Sequence, residues 1–395
     1  MHTTVLKKLY NELCLTSVFI GVTEKPLFKA FFAYCQANTQ EGKALAYATF
    51  VSEIYERGNG SLTEFVHRLV FEDENVFIKN VARGKRVAKC IENAAKKELA
   101  TFSAFSSIQP TEFALDMGID EGMLPAYDTF NADMVLSFKK RIREIGKYGY
   151  GIFSSHGMFR LSDEKEIEPI VSADKIGMDT FIGYEAERGQ VVANTRAFVE
   201  GRPAANTLLC GDAGTGKSST VKAVANAFFD EGVRLIELRK DQLRYLPYVM
   251  GKISGNPLKF IIFIDDLAFN RSDDNFSMLK AALEGSASAK AENAVIYATS
   301  NRRHIIKESF SERDGDDVHR NDTLQETLSL SERFGLVVLF SKPNKQLYLE
   351  IVRELAQKHG VAIPQAELDV QAEAFALRKG NRSARCAEQF IESLL

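Results

Sequence analysis

Gly211-Asp212-Ala213-Gly214-Thr215-Gly216-Lys217-Ser218 is the stretch on which the reading of this chain turns. Its glycines leave the backbone free to curl and to point successive N–H groups inward. The apolar run Thr207-Leu208-Leu209-Cys210 leads into it. A periodic segment leads out, with Val221, Val224, Ala225 and Phe228 on one face and Gly232 just past its end. Strand, glycine-rich loop and helix form the context in which GxxxxGK[ST] cradles phosphate. The helix N-terminus adds partial positive charge, Lys217 reaches β- and γ-phosphates, and the Ser218 hydroxyl suits Mg²⁺. Ser219 extends the nucleotide-binding set by one residue.

Four further apolar runs follow: VRLIEL from Val233, KFIIFID from Lys259, AVIYATS from Ala294 and GLVVLF from Gly335. Runs that are apolar on both faces and separated by helical text imply a parallel sheet covered on two sides. The expected fold class is therefore α/β, with a parallel five-stranded P-loop NTPase core. The run from Lys259 ends on the carboxylates Asp265 and Asp266. Open parallel sheets bind ligands beyond the carboxyl ends of their strands, which sets both aspartates beside the phosphates. Asp265 is expected to hold Mg²⁺, and Asp266 to orient or polarise the attacking water.

Either side of this core the text is helical. Leu27, Ala30, Phe31 and Tyr34 form one stripe, and Leu62, Phe65, Val66 and Leu69 another, opened by Ser61 and Glu64 as a capping box. Val87, Cys90, Ile91 and Ala94 form a third, and Met134, Phe138, Ile142 and Ile145 a fourth. The glycine-rich KYGYGIFSSHG from Lys147 marks the first boundary. After Pro343, Tyr348, Ile351, Val352 and Leu355 make one helix, and Ala387, Phe390, Ile391 and Leu394 the last. The expected domains are an N-terminal helical domain over 1–150, a connector over 151–200, the α/β core over 201–343 and a small helical lid over 344–395.

Composition excludes several classes. The 395 residues are 45% apolar and 26% charged, with a net charge of −3. No apolar run approaches the roughly 18 residues that span a bilayer, and the opening MHTTVLKKLYNELCL does not read as a secretory signal. Five scattered cysteines without CxxC spacing point to free thiols in a reducing compartment, so the expected location is cytoplasmic. Lys79 to Lys97 holds seven basic residues against one acid, and Lys139 to Lys147 five against one. Clustered cations suit nucleic acid, but the acidic overall balance favours reading them as polar helix faces. Arg302-Arg303-His304 is ambiguous in the same way, and the polar stretch over 308–322 reads as a loop.

Taken together these motifs resemble the AAA+ ATPases over roughly Asp179 to Leu395. The resemblance implies further roles. In Tyr297-Ala298-Thr299-Ser300-Asn301-Arg302, Asn301 matches the polar residue that senses the γ-phosphate, with Thr299 second. Ser331-Glu332-Arg333-Phe334-Gly335 matches the arginine finger, so Arg333 is the candidate. Gly380-Asn381-Arg382-Ser383-Ala384-Arg385 is similar to the second sensor, with Arg385 the better fit and Arg382 next. Ile182-Gly183-Tyr184 resembles the adenine-contact segment. The aspartate pair departs from the Asp-Glu of most members and looks more like helicase loaders. YGYGIF, PIVSADKIGMDTFIGYE, the EGS near Gly285 and ATSNRRH are also similar to an uncharacterised bacterial family of AAA+ ATP-binding proteins. The resemblance implies ATP and Mg²⁺ as cofactors, ATP hydrolysis, a homo-oligomer and a protein partner to be remodelled. Two other outputs stay open: a slow, ATP-dependent regulatory switch, and a DNA-associated ATPase like the helicase loaders.

Overall fold

The computed structural model describes residues 5–171, 176–267, 278–280, 283, 291–301 and 333–395. Arg302, Arg303, His304, the segments 284–290 and 308–322, and Ser331-Glu332 lie outside the described residues. The chain divides into two compact units, Met1–Ser155 with Gly255–Pro257, and His156–Ser254 with Leu258–Leu395.

The first unit is helical. Its elements are α1 (Val5–Leu13), α2 (Ile20–Thr23), α3 (Pro26–Gln36), α4 (Gln40–Gly58) and α5 (Leu62–Glu72). They continue as α6 (Val76–Ala82), α7 (Lys89–Ser106), α8 (Pro110–Met117), α9 (Met134–Arg143) and α10 (Ile145–Tyr148). Ser61 caps α5 by accepting from the Glu64 N–H at 3.3 Å, but the expected capping box is only half formed, because the Ser61 N–H donates to the Gly58 carbonyl at 3.0 Å. The core is aromatic. Phe105 stacks on Phe28 at 4.7 Å and meets Phe31 edge-on at 4.9 Å, while Phe113 takes Tyr34 edge-on at 4.9 Å. Such pairs add about 0.5–1.5 kcal/mol each beyond the area they bury. Glu98 is buried in this unit, and its carboxylate accepts from the N–H groups of Ser17, Val18 and Phe19 and from the Ser17 hydroxyl. These donors precede α2, so the carboxylate ties α7 to the start of that helix.

Two stripes differ from expectation. Helix α7 begins only at Lys89 and buries Ala95, Leu99, Phe102 and Phe105, leaving Cys90 exposed. Helix α9 stops at Arg143, and Ile145 opens α10, because Glu144 leaves helical geometry at φ −114°.

The second unit is built on one sheet. Its strands are β1 (Met158–Leu161), β2 (Ile167–Pro169), β3 (Thr207–Gly211), β4 (Val233–Leu238), β5 (Lys259–Ile264), β6 (Ala294–Ser300) and β7 (Leu336–Phe340). They lie in the order β2-β1-β4-β5-β6-β3-β7. All five apolar runs are strands and pair in parallel. The sheet has seven strands rather than five, because β1 joins β4 in parallel and β2 closes that edge antiparallel. These two are three or four residues long and carry Arg160, Glu166 and Glu168 in or beside them, so no apolar run announces them.

Helices α11 (Glu185–Val199), α12 (Lys217–Ala227) and α13 (Leu246–Ile253) connect the strands. Val191 and Phe198 of α11 and Val221 and Val224 of α12 pack with Leu209, Ile261, Tyr297 and Val338 on one face of the sheet. The alternate residues Leu208, Ile236, Ile262 and Ile296 are also buried, so the opposite face is covered too. Arg234 is buried within β4, its guanidinium 4.0 Å from the Phe229 ring centre and donating to the Phe229 carbonyl at 2.9 Å. The chain then forms α14 (Lys345–Lys358), α15 (Gln365–Lys379) and α16 (Ala384–Glu392), a three-helix cluster around Tyr348, Val352, Ala372 and Phe390.

Candidate active site

The carboxyl ends of β3, β5 and β6 come together on one edge of the sheet. Register fixes this: Cys210 lies opposite Ser300, and Ile264 opposite Ala298. The loop after β3 curls through Gly211, Gly214 and Gly216, with φ of 136°, 76° and 85°. Two of these are glycine for reasons of space as well as backbone. A Cβ on Gly211 would sit 2.0 Å from the Phe340 carbonyl oxygen, and one on Gly214 3.1 Å from Ser383 Oγ. The loop hands directly into α12, whose first-turn N–H groups open toward it.

Lys217 is buried, and its ammonium donates to the carbonyls of Gly211 at 3.0 Å and Asp212 at 2.6 Å. Burial pushes its pKa below the usual lysine value, while Asp212, Asp265 and Asp266 hold it up. Thr215 donates to the Asp212 carbonyl at 2.9 Å, and the exposed Ala213 forms the crest of the loop. The Asp212 carboxylate accepts from the Lys342 N–H at 3.0 Å.

Ser218 Oγ, in the first turn of α12, donates to Asp265 Oδ1 at 2.6 Å, although β6 separates β3, which leads into that helix, from β5. Thr299 of β6 bridges the gap. Its hydroxyl donates to the same Asp265 oxygen and accepts from the Asp266 N–H at 2.9 Å. Asp266 stands in left-handed backbone at φ +50°, and its carboxylate accepts from Asn301 Nδ2 at 2.8 Å. Aspartate tolerates that region better than longer side chains do, which gives a physical reason for Asp rather than Glu at this position. The cluster offers hydroxyl and carboxylate oxygens, the donor set that a hard divalent cation such as Mg²⁺ takes. Glycines no side chain could replace, a helix N-terminus and a buried lysine suit the phosphates that would accompany it.

Beside the loop runs a cleft lined by Phe181, Ile182, Gly216, Ser219, Ile351 and Arg385. Gly183, with φ 71°, packs where a Cβ would lie 2.7 Å from Leu347 Cδ1. Tyr184 follows at φ 60°, its hydroxyl donating to the Ser341 carbonyl at 2.7 Å. Burial, reinforced by Glu187 and Asp212, pushes that phenol up to about 12. The two arginines of the lid motif part company. Arg382 is engaged in a two-pronged pair with Glu373, both bonds 2.9 Å, whereas Arg385 lines the cleft with its backbone N–H 3.4 Å from the Gly214 carbonyl.

Arg333 is not brought to this cluster. It precedes the amino end of β7, whereas the phosphate loop adjoins the carboxyl end, where Gly211 faces Phe340. Four residue steps of strand separate those ends, about 13 Å. Glu185 opens α11 and pairs with Arg188 at 3.5 Å. Arg188 itself went unnoticed in the sequence. It is buried, donates to the Gly183 carbonyl and lies 5.0 Å from the Phe181 ring centre, so it braces the segment lining the cleft. An arginine one turn into a polar helix N-terminus carries no sequence signal for that role.

Fold and site together define a P-loop protein of the AAA+ type. Residues 154–395 match the family described as "Protein of unknown function (DUF815)", and the chain belongs to that family. Among solved structures it is similar to the Thermotoga maritima RuvB Holliday junction branch migration motor, at 13% identity over 55% of this chain and 72% of that one, with a TM-score of 0.34. It is also similar to a chain of the E. coli MS115-1 HORMA:CdnC:Trip13 complex, at 12% identity over 54% and 89%, with a TM-score of 0.36. Likenesses this distant carry no further argument. No curated protein matches the chain. Among the described residues no helix is long and apolar enough to cross a membrane.

Proposed function

We propose that the chain binds ATP with Mg²⁺ and hydrolyses it, coupling the reaction to movement of the lid and to action on a partner. The observation that carries this reading is the direct Ser218–Asp265 hydrogen bond, 2.6 Å, bridged by Thr299 beneath the glycine loop. The start of α12, the end of β5 and β6 converge there on the chemistry of a metal–phosphate site. In this reading the loop N–H groups from Gly211 to Ser219 and the Lys217 ammonium hold the phosphates. Ser218 and Asp265 hold Mg²⁺, which when bound neutralises charge on the phosphate oxygens. Ile182 and Gly183 contact the adenine, and Arg385 reaches toward the γ-phosphate. Asp266 orients the attacking water, and Asn301 orients Asp266 in turn.

Arg333 serves a neighbouring subunit in this reading, which its distance along β7 from its own phosphate loop supports. The active form is then a homo-oligomer. Lys217→Ala tests the site itself. A ligand that binds only the folded state stabilises it by about 2.7 kcal/mol at a hundredfold excess over Kd. Wild type should melt higher with MgATP and Lys217→Ala should not. An equal rise in both would remove the loop from the reading.

A further inference from the structure

The two basic stretches noted in the sequence lie far apart along the chain, yet the fold packs α7 against α9. Between them runs an apolar slot lined by Phe77 of α6, Ala95 and Leu99 of α7, and Val135, Phe138 and Ile142 of α9. Lys96 stands on one lip and Lys139 on the other. Helical spacing lengthens both lips. Lys89 is two turns before Lys96 on the same face of α7, and Arg143 is one turn beyond Lys139 on α9. All four cations are exposed. Lys79 nearby is paired with Glu74 at 3.0 Å, but among the described residues none of these four meets a carboxylate within 4 Å.

We propose that this groove docks an acidic amphipathic helix of a partner protein, its apolar stripe in the slot and its carboxylates on the two cationic lips. An apolar floor between two lips of net positive charge, Lys89 and Lys96 outweighing Glu92 on one and Lys139 with Arg143 on the other, is complementary to a helix with apolar anchors at i, i+3 or i+4, and i+7, flanked by Asp and Glu. Nucleic acid fits less well. It would use the cations but leave the apolar floor without a partner. Base stacking needs an accessible ring face, and Phe138 is only 3% exposed while Phe77 is half-buried. The slot selects the spacing of the apolar anchors, and the lips set orientation, association rate and salt sensitivity. The inference rests on the helical unit alone and is independent of ATP hydrolysis.

Fluorescence anisotropy on the full chain tests it with labelled synthetic probes. The first is a helix-forming acidic peptide of about 18 residues with leucines at the anchor spacing, roughly five turns long. The second has the same composition with the leucines scrambled, and the third is a single-stranded or duplex oligonucleotide. The first peptide should bind with a Kd of roughly 1–50 µM, the scrambled one at least about tenfold more weakly, and the oligonucleotide more weakly still. Lys96→Glu with Lys139→Glu should weaken the first peptide at least about tenfold and remove most of its salt dependence. Circular dichroism verifies that this variant is folded, and Lys89→Ala with Arg143→Ala provides a milder pair read in the same assay. Failure of the first peptide to bind at about 100 µM, equal binding of the scrambled peptide, or tighter binding of the oligonucleotide would each overturn the proposal.

Discussion

Asp266 is where backbone and chemistry can be separated by two substitutions. Its N–H donates to Thr299 Oγ1 at 2.9 Å and to Asp265 Oδ1 at 3.1 Å, and its carboxylate accepts from Asn301 at 2.8 Å. Asparagine keeps the size, tolerates φ +50° and still offers Asn301 an acceptor oxygen. Asp266→Asn should therefore leave thermal stability within about 0.5 kcal/mol of wild type and leave MgATP affinity unchanged. Its turnover should fall by about 10²–10⁴, the usual contribution of a positioned general base, or about 3–5 kcal/mol on the barrier. Asp266→Glu keeps the charge but sets a longer side chain on left-handed backbone. That should cost about 1 kcal/mol, read as a fall in Tm of a few degrees with some hydrolysis retained. Melting curves, nucleotide titration and single-turnover hydrolysis on the three proteins separate the terms. Wild-type hydrolysis in Asp266→Asn would refute the catalytic assignment, and a wild-type Tm in Asp266→Glu would refute the backbone argument.

Arg333→Ala should keep ATP affinity and lose about 10³–10⁵ in rate. Mixing it with Lys217→Ala should restore part of the hydrolysis, and a freely exchanging mixture that stays inactive would rule out action between subunits. Glu98→Gln should cost about 3 kcal/mol in urea unfolding, because it replaces a charged acceptor and turns an amide N–H₂ toward N–H donors. His67 stacks on Phe71 at 4.0 Å, and its pKa is lowered first by burial and then by Arg141. Below about pH 6.5 the unfolded chain takes up that proton more readily, so its contribution to stability falls as pH falls. His67→Gln should flatten the Tm profile on the acid side of neutrality, and an unchanged slope would assign acid sensitivity elsewhere.

The central sheet was legible because its strands are buried on both faces, which forces unbroken apolar runs such as KFIIFID. β1 and β2 were not, since Arg160 interrupts the buried Met158, Phe159 and Leu161 of β1, and β2 is only three half-buried residues at the sheet edge. The phosphate loop could be read from residue types because its positive φ angles already call for glycine locally, before the packing of Phe340 and Ser383 adds to the demand. Thr299 as the bridge between Ser218 and the aspartates depends on which strands are neighbours, and that is a property of the whole sheet. Asp266's left-handed backbone and the Arg188 brace were hidden for the same reason. Helix α15 was missed because it buries only Leu368, Ala372 and Ala376 firmly, and small residues leave a faint stripe. The difference in surroundings between Arg382 and Arg385 was hidden because Glu373, which pairs with Arg382 and Lys345, comes from a different helix.

The phosphate loop touches the three-helix cluster at two separate points. Asp212 holds the Lys342 N–H two residues before Asn344 caps α14, and Gly214 lies against Ser383 and Arg385 at the start of α16. One contact sits at the entrance to the cluster and the other at its far helix. Because the two contacts are separate, a shift of the loop would turn the cluster rather than simply push it. In the proposed function, a chemical change at a phosphate held by the loop would reach the cluster through both contacts at once, and their spacing would set how far it turns.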